Sequence, residues 1–255
     1  MSKMKSEVDR YIRMRHIIQL WTQPQQRPGC ILAPKFTLHQ VSLIDTKNIQ
    51  KSWAAQCGCI QRFLCKMAVD QLATGRYMKR MKFWPSDKCP RCMESNETTL
   101  HVLKCPAATQ LFNQKSTELV TMLQQYPTKP ELIQGIQLLF QTFLSSSNEE
   151  PLHLTTTPPT ATDDICVRQQ LQLPLHEFMR GCIVTHWRTS QEQFQTRIHS
   201  RRSANRWAQS LIQGIWQLYF SLWLHHNEAY YSDPVTQNNF NNSQNSTKKS
   251  DDNGP

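Results

Sequence analysis

Residues 204–222 read ANRWAQSLIQGIWQLYFSL, and the spacing of their apolar positions decides the fold. Ala204, Ala208, Leu211, Ile215, Leu218 and Leu222 step by four, three, four, three and four. That places one stripe on one face of a helix, with Trp207, Trp216 and, just beyond, Trp223 on its flanks. Gln fills many intervening positions, a good helix former that adds no charge. From Trp207 to Asn227 there is no Asp, Glu, Lys or Arg. Gln209, Gln213, Gln217, Ser210, Ser221, His225 and His226 nevertheless recur through it. A membrane span wants ~20 predominantly apolar residues, so the reading is a buried helix.

Outward from that helix the same periodicity returns. Ile49, Trp53, Cys57, Ile60, Leu64 and Met67 form a stripe predicting one helix, closed by Gly75 as a C-cap. Leu132, Ile136, Leu139 and Phe143 form a shorter one after Pro130, which suits a first helical turn. No period-2 alternation bounded by turn dipeptides competes with these stripes. The fold class is mainly α, with helical segments around a small Cys/His knuckle. An N-terminal helix (about 6–22) and an irregular stretch, QPQQRPGCILAP from Gln23 to Pro34, belong to a first segment, 1–46. A helical region follows over 47–144, with the knuckle at 88–106. A Ser/Thr/Pro-rich linker takes 145–162, a second helical region 163–232, and an Asn/Ser-rich tail 233–255; linker and tail read as disordered.

Composition bounds the function. The chain has 255 residues, 38% of them hydrophobic, yet 7 Trp and 10 Phe, so it can bury a core. Lys plus Arg number 29 against 19 Asp plus Glu, a net charge of +10 that favours an anionic partner. Seven glycines argue against Gly-rich phosphate loops and dinucleotide fingerprints. The opening Met-Ser-Lys-Met-Lys-Ser-Glu lacks the apolar run of a signal peptide, so the expectation is an intracellular compartment, cytoplasmic or nuclear. Nine unevenly spaced cysteines do not read as a disulfide framework.

One constellation carries chemistry. Residues 88–106 read KCPRCMESNETTLHVLKCP, spacing Cys89-x2-Cys92-x8-His101-x3-Cys105. Two cysteines two residues apart fold back as a knuckle, and Pro90-Arg91 suits the turn. His101 and Cys105 share one face of a helical turn. Asn96 is placed to cap that turn, with Glu97 favourable at its positive end. Pro106 stops the helix at Cys105. Three thiolates and an imidazole fill a tetrahedral Zn²⁺ site with no open position, which makes the ion structural rather than catalytic. Cys57 and Cys59 lie in the stripe described above and read as buried thiols. Cys30, Cys65, Cys166 and Cys182 read as scattered core residues, and the His225-His226 pair as solvated or capping.

CPRCMESNETTLHVLKCP, preceded by RFLCKMAVDQLATGRYMKR, resembles the zinc-binding region C-terminal to the reverse transcriptase domain of non-LTR retrotransposons. The resemblance covers about residues 59–112 and carries over to Cys89, Cys92, Glu97, His101, Cys105 and Pro106. The stretch 201–231 also looks like the Trp-rich helical tail of such elements, with Trp223-Leu224-His225-His226-Asn227 a looser match to its ending. The resemblance implies a non-catalytic accessory region that assists binding of template RNA or target DNA. A polymerase needs clustered aspartates for its metals. The mid-chain pair Asp163-Asp164 follows Ala161-Thr162, with no aromatic beside it. The chain therefore reads as no enzyme. Retroviral nucleocapsid knuckles have x2, x4 and x4 gaps, so their guanine stacking does not transfer.

Charge clusters beside the knuckle. Arg76, Lys79, Arg80, Lys82, Lys88 and Arg91 face Asp87 alone between residues 76 and 91, with Tyr77, Phe83 and Trp84 interleaved. Trp84 fits equally well as a core residue under the knuckle. Arg197, Arg201, Arg202 and Arg206 form a second cluster without an acid. Basic residues among aromatics suit phosphates and unpaired bases. Arg76, Lys79, Arg80, Lys82, Lys88, Arg91, Arg201 and Arg202 are accordingly the expected contacts to RNA or single-stranded DNA. The alternatives are a protein-interaction module that forms a homodimer through 204–222, or a decayed retroelement fragment with no selected function.

Overall fold

The computed structural model describes residues 37–94, 96–146 and 165–231. The expected helix at 6–22, the segment 23–34, most of the linker and the tail lie outside the described residues. Eleven helices make up the described part: α1 (Leu38–Leu43), α2 (Thr46–Ala54), α3 (Gly58–Ala68), α4 (Gly75–Arg80), α5 (Thr99–Lys104), α6 (Thr109–Gln124), α7 (Pro130–Ser145), α8 (Ile165–Gln170), α9 (Leu175–Met179), α10 (Thr185–Arg197) and α11 (Ala204–Tyr231). A single 3₁₀ turn, Pro106–Ala108, joins α5 to α6. The mainly α class holds, and the one extended pairing among the described residues is a bridge between Ile44 and Val184.

Sequence explains where several of these helices start. Thr37 and Gln40 make a reciprocal capping box for α1, and Asp45 caps α2 by accepting the Asn48 N–H at 3.2 Å. Pro130 opens α7 at a position where a missing N–H costs nothing.

The long stripe 49–67 is not one helix. It breaks at 55–57, where Cys57 turns extended (φ −66°, ψ 159°) as the residue preceding α3. The Gln61 amide donates to the Trp53 carbonyl at 3.1 Å, so side-chain polar groups satisfy backbone that the break exposes. Cys57 and Cys59 are consequently exposed, not buried. Gly75 does not close a helix either. It begins α4.

α11 is the axis of the fold, with α2, α6 and α10 packed along it. All six residues of its stripe, Ala204 through Leu222, are buried, and the apolar face offered to a second copy is covered by the chain's own helices. α3 reaches the same axis through Phe63, whose ring meets Tyr219 edge-on at 5.6 Å and Phe220 at 5.1 Å. The core is continuous across segments 47–144 and 163–232. Phe112 lies against Phe140 (5.9 Å), Phe140 against Phe178 (5.8 Å), and Phe178 against Trp187 (6.4 Å).

Between α8 and α10 a buried amide is paired at both its nitrogen and its oxygen. The Gln170 amide donates to the Cys182 carbonyl and accepts from the Val184 N–H and the Trp187 indole. Gly181 (φ +84°) brings its backbone so close to Trp216 that a side chain there would overlap the indole. That indole donates to the Arg180 carbonyl at 2.8 Å. Among the described residues no helix is long and apolar enough to cross a membrane.

Candidate metal centre

The knuckle is built by a tight turn and a short helix facing it. The Met93 N–H donates to the Cys89 carbonyl (2.9 Å) and the Cys89 N–H to the Glu94 carbonyl (2.8 Å), folding Cys92 back over Cys89. Met93 and Asn96 both have positive φ, 64° and 60°. Thr98, not Asn96, caps α5, its hydroxyl accepting the His101 N–H at 3.1 Å. Asn96 adopts the left-handed conformation that Asn tolerates and lies outside the cap. α5 stops at Lys104, and Cys105 takes an extended ψ of 124° ahead of Pro106, as the Pro predicts.

The ligand atoms of Cys89, Cys92, His101 and Cys105 all lie within 4.8 Å of one another. Cys89 Sγ is 3.8 Å from Cys105 Sγ, and Cys92 Sγ is 3.3 Å from His101 Nε2. A tetrahedral ion with sulfur at about 2.3 Å and nitrogen at about 2.0 Å sets these edges at about 3.8 and about 3.5 Å. The four residues fit one metal ion. Cys89 and Cys105 are fully buried and His101 nearly so. Within the cluster, the contact with Cys105 holds the Cys89 thiol far below its ordinary pKa, while the same contact and burial push Cys105 up. The hydrogen bond to Cys89 likewise raises His101 above the usual imidazole value. His101 Nδ1 faces the Glu94 carboxylate at 3.8 Å, on the side away from the thiols.

Glu97 has a role its place in the sequence did not suggest. Instead of sitting at the exposed mouth of α5, its side chain is fully buried. Oε2 accepts the Gly75 N–H at 2.7 Å, and Oε1 is 2.9 Å from Nε2 of His226 on α11. The backbone joins in: the Glu97 N–H donates to the Asp87 carbonyl (2.8 Å) and the Arg76 N–H to the Glu97 carbonyl (3.1 Å). Burial pushes the Glu97 carboxyl above its ordinary range, against the pull of His226 and the Gly75 amide. His226 is buried, not solvated, and stacks on Trp223 at 4.9 Å. Nothing local could have paired residues 97 and 226; the cue available was the Trp-x-x-His-Asn ending of α11. Gly75 is needed for the same closeness, since a Cβ there would meet the Asp87 carbonyl carbon at 2.7 Å and the Lys88 oxygen at 2.9 Å.

Arg76, Lys79, Arg80, Lys82 and Lys88 are exposed, on α4 and the strap leading to Cys89. Lys79 pairs with Asp87 at 3.0 Å, which holds that carboxyl below its usual range. Arg91 is turned inward, its Nη2 donating to the Val102 carbonyl at 2.9 Å. Arg76, Tyr77 and Arg80 line a cleft of about 280 Å³ with His176 and Arg180, two residues the sequence did not bring forward. Arg180 is buried there between Asp70 (2.6 Å) and Glu177 (2.9 Å). Trp84 is half-buried, its ring 5.3 Å from Tyr230 at the end of α11. Arg201 and Arg202 line a separate groove with Arg206 and Trp207, where Arg202 lies 4.8 Å over the Tyr126 ring. The chain matches no family model, no curated protein and no solved structure.

Proposed function

We propose that the chain is a non-catalytic zinc-knuckle protein that binds RNA or single-stranded DNA, in the manner of the accessory region of a retrotransposon reverse transcriptase. Cys89, Cys92, His101 and Cys105 hold a structural Zn²⁺. Four protein ligands leave no position for a metal-bound water, so the ion supplies folding energy rather than chemistry. Three thiolates around a divalent ion leave one negative charge, and the Arg91 guanidinium, whose charge opposes the upward push on the Cys105 thiol, favours that excess.

The observation that carries the nucleic-acid reading is the row of exposed cations on α4 and the following strap, interleaved with aromatic rings and pinned to the knuckle through Glu97. Phosphates meet Arg76, Lys79, Arg80, Lys82 and Lys88, and bases find Tyr77 and the exposed Phe83. Arg201 and Arg202 extend the contact in a second groove. The alternative of a dimer through 204–222 has no free apolar stripe to use.

Fluorescence anisotropy with a labelled single-stranded oligonucleotide tests the reading across a salt series. Each phosphate contact contributes roughly 0.7 to the slope of log K against log salt. Replacing Arg76, Lys79 and Arg80 together with Gln flattens the slope by about 2, with folding and metal content intact. An unchanged slope and affinity would remove these residues from the interface.

A further inference from the structure

Cys57 and Cys59 play no part in the metal centre. They stand on the surface where α2 gives way to α3, both exposed, with their sulfurs 2.7 Å apart. A disulfide bond is about 2.05 Å long, so the pair lacks less than an ångström of bonding distance. Gly58 between them leaves the approach open: a Cβ built there would meet nothing nearer than Arg62 Nη1, at 4.0 Å. Glycine also grants the torsions that a ring closed over one intervening residue demands.

We propose that Cys57 and Cys59 form a redox-active dithiol that closes to an intramolecular disulfide by exchange with a low-molecular-weight disulfide. Cys57 is the attacking group. It precedes the first turn of α3, whose amides lack intrahelical partners and whose dipole favours a thiolate. A hydrogen bond from Cys59 and then the Ile60 amide hold the Cys57 thiol below its ordinary pKa, while the same bond pushes Cys59 up. The Cys57 thiolate attacks one sulfur of RSSR, an S–S bond forms to Cys57, and RS⁻ leaves. Cys59 gives its proton to that RS⁻ and attacks Cys57 Sγ, expelling a second RS⁻ that takes a proton from water or from the Cys57 proton already released. Two electrons pass from the dithiol to RSSR, which leaves as two RSH. Of the other described cysteines outside the knuckle, Cys166 and Cys182 are buried, with burial raising the Cys182 thiol well above its usual value, and Cys65 is half-buried within α3.

Trypsin cuts after Lys51 and Arg62, so peptide 52–62 contains both sulfurs and no other cysteine. The reduced full chain is incubated in oxidised and reduced glutathione mixtures, acid-quenched, alkylated and mapped. Peptide 52–62 is expected to lose two hydrogens and both alkyl groups, and to recover them in excess reduced glutathione. Cys59→Ser is expected to stop at one glutathione adduct on Cys57, and Cys57→Ser to form its adduct several-fold more slowly. A peptide that stays fully alkylated, or that gathers two glutathione adducts without closing, overturns the proposal. Zinc content plays no part in this readout, so the dithiol and the knuckle fail independently.

Discussion

Glu97→Ala removes the carboxylate that joins the knuckle to α4 and α11. One oxygen accepts the Gly75 N–H at 2.7 Å, the other lies 2.9 Å from His226 Nε2, and both Glu97 and His226 are fully buried. Truncation leaves two polar groups where water does not follow, each costing about 1–3 kcal/mol. Breaking a buried pair by deleting one partner costs about 3–5 kcal/mol, which sets the expected loss. Glu97→Gln keeps an oxygen for Gly75 and a polar group facing His226. It also relieves the burial penalty that already raises the Glu97 carboxyl, so its loss is smaller, about 1–2 kcal/mol. Equilibrium urea unfolding of the zinc-loaded protein, followed by far-ultraviolet circular dichroism, measures both. Against a typical total of about 5–15 kcal/mol the two variants are easily separated. If Glu97→Ala unfolds within about 1 kcal/mol of the parent, or if Ala and Gln are equal, the buried clamp does not hold the two ends together.

Three further substitutions follow from the same geometry. Gly75→Ala ordinarily gains up to about 1 kcal/mol of helix propensity. Here its Cβ meets backbone of Asp87 and Lys88, so urea unfolding is expected to show a net loss of about 1–3 kcal/mol and a zinc titration a weaker knuckle. Burial alone would raise the Glu177 carboxyl, but Arg180 and His176 hold it below the ordinary value of 4.5. The unfolded chain then binds more protons, so this stabilisation is complete above about pH 5 and fades as pH falls through the depressed folded value. Glu177→Gln is expected to cost about 3 kcal/mol at neutral pH and to flatten the acid limb of a stability–pH curve. Phe112→Ala empties a fully buried site between Phe140 and Phe143, and a loss of about 3–5 kcal/mol in the same unfolding assay checks it.

Local spacing made the Cys/His cluster legible, because a knuckle, one helical turn and a Pro stop are written within 17 residues of one another. The stripes at 204–222 and 132–143 were legible for a related reason: burial of one helix face leaves a period in the sequence. Periodicity failed at 49–67. Two helices kept their apolar faces in phase across the break at 55–57, and the pattern carries no mark of the extended Cys57 between them. Capping failed at Asn96 because Thr98, two residues on, competes for the same amides and wins. Glu97 with His226, and Arg180 with Asp70, are partners 129 and 110 residues apart. Such pairings arise from packing around α11, and no local signal specifies them.

Zinc per chain, measured by elemental analysis on protein purified without added metal and set beside Cys89→Ser, tests the central claim most directly. About one zinc in the parent and none in the variant is expected, with helical signal lost when a chelator strips the ion. A parent that keeps its full helical signal while containing no zinc would contradict the knuckle and the nucleic-acid reading built beside it.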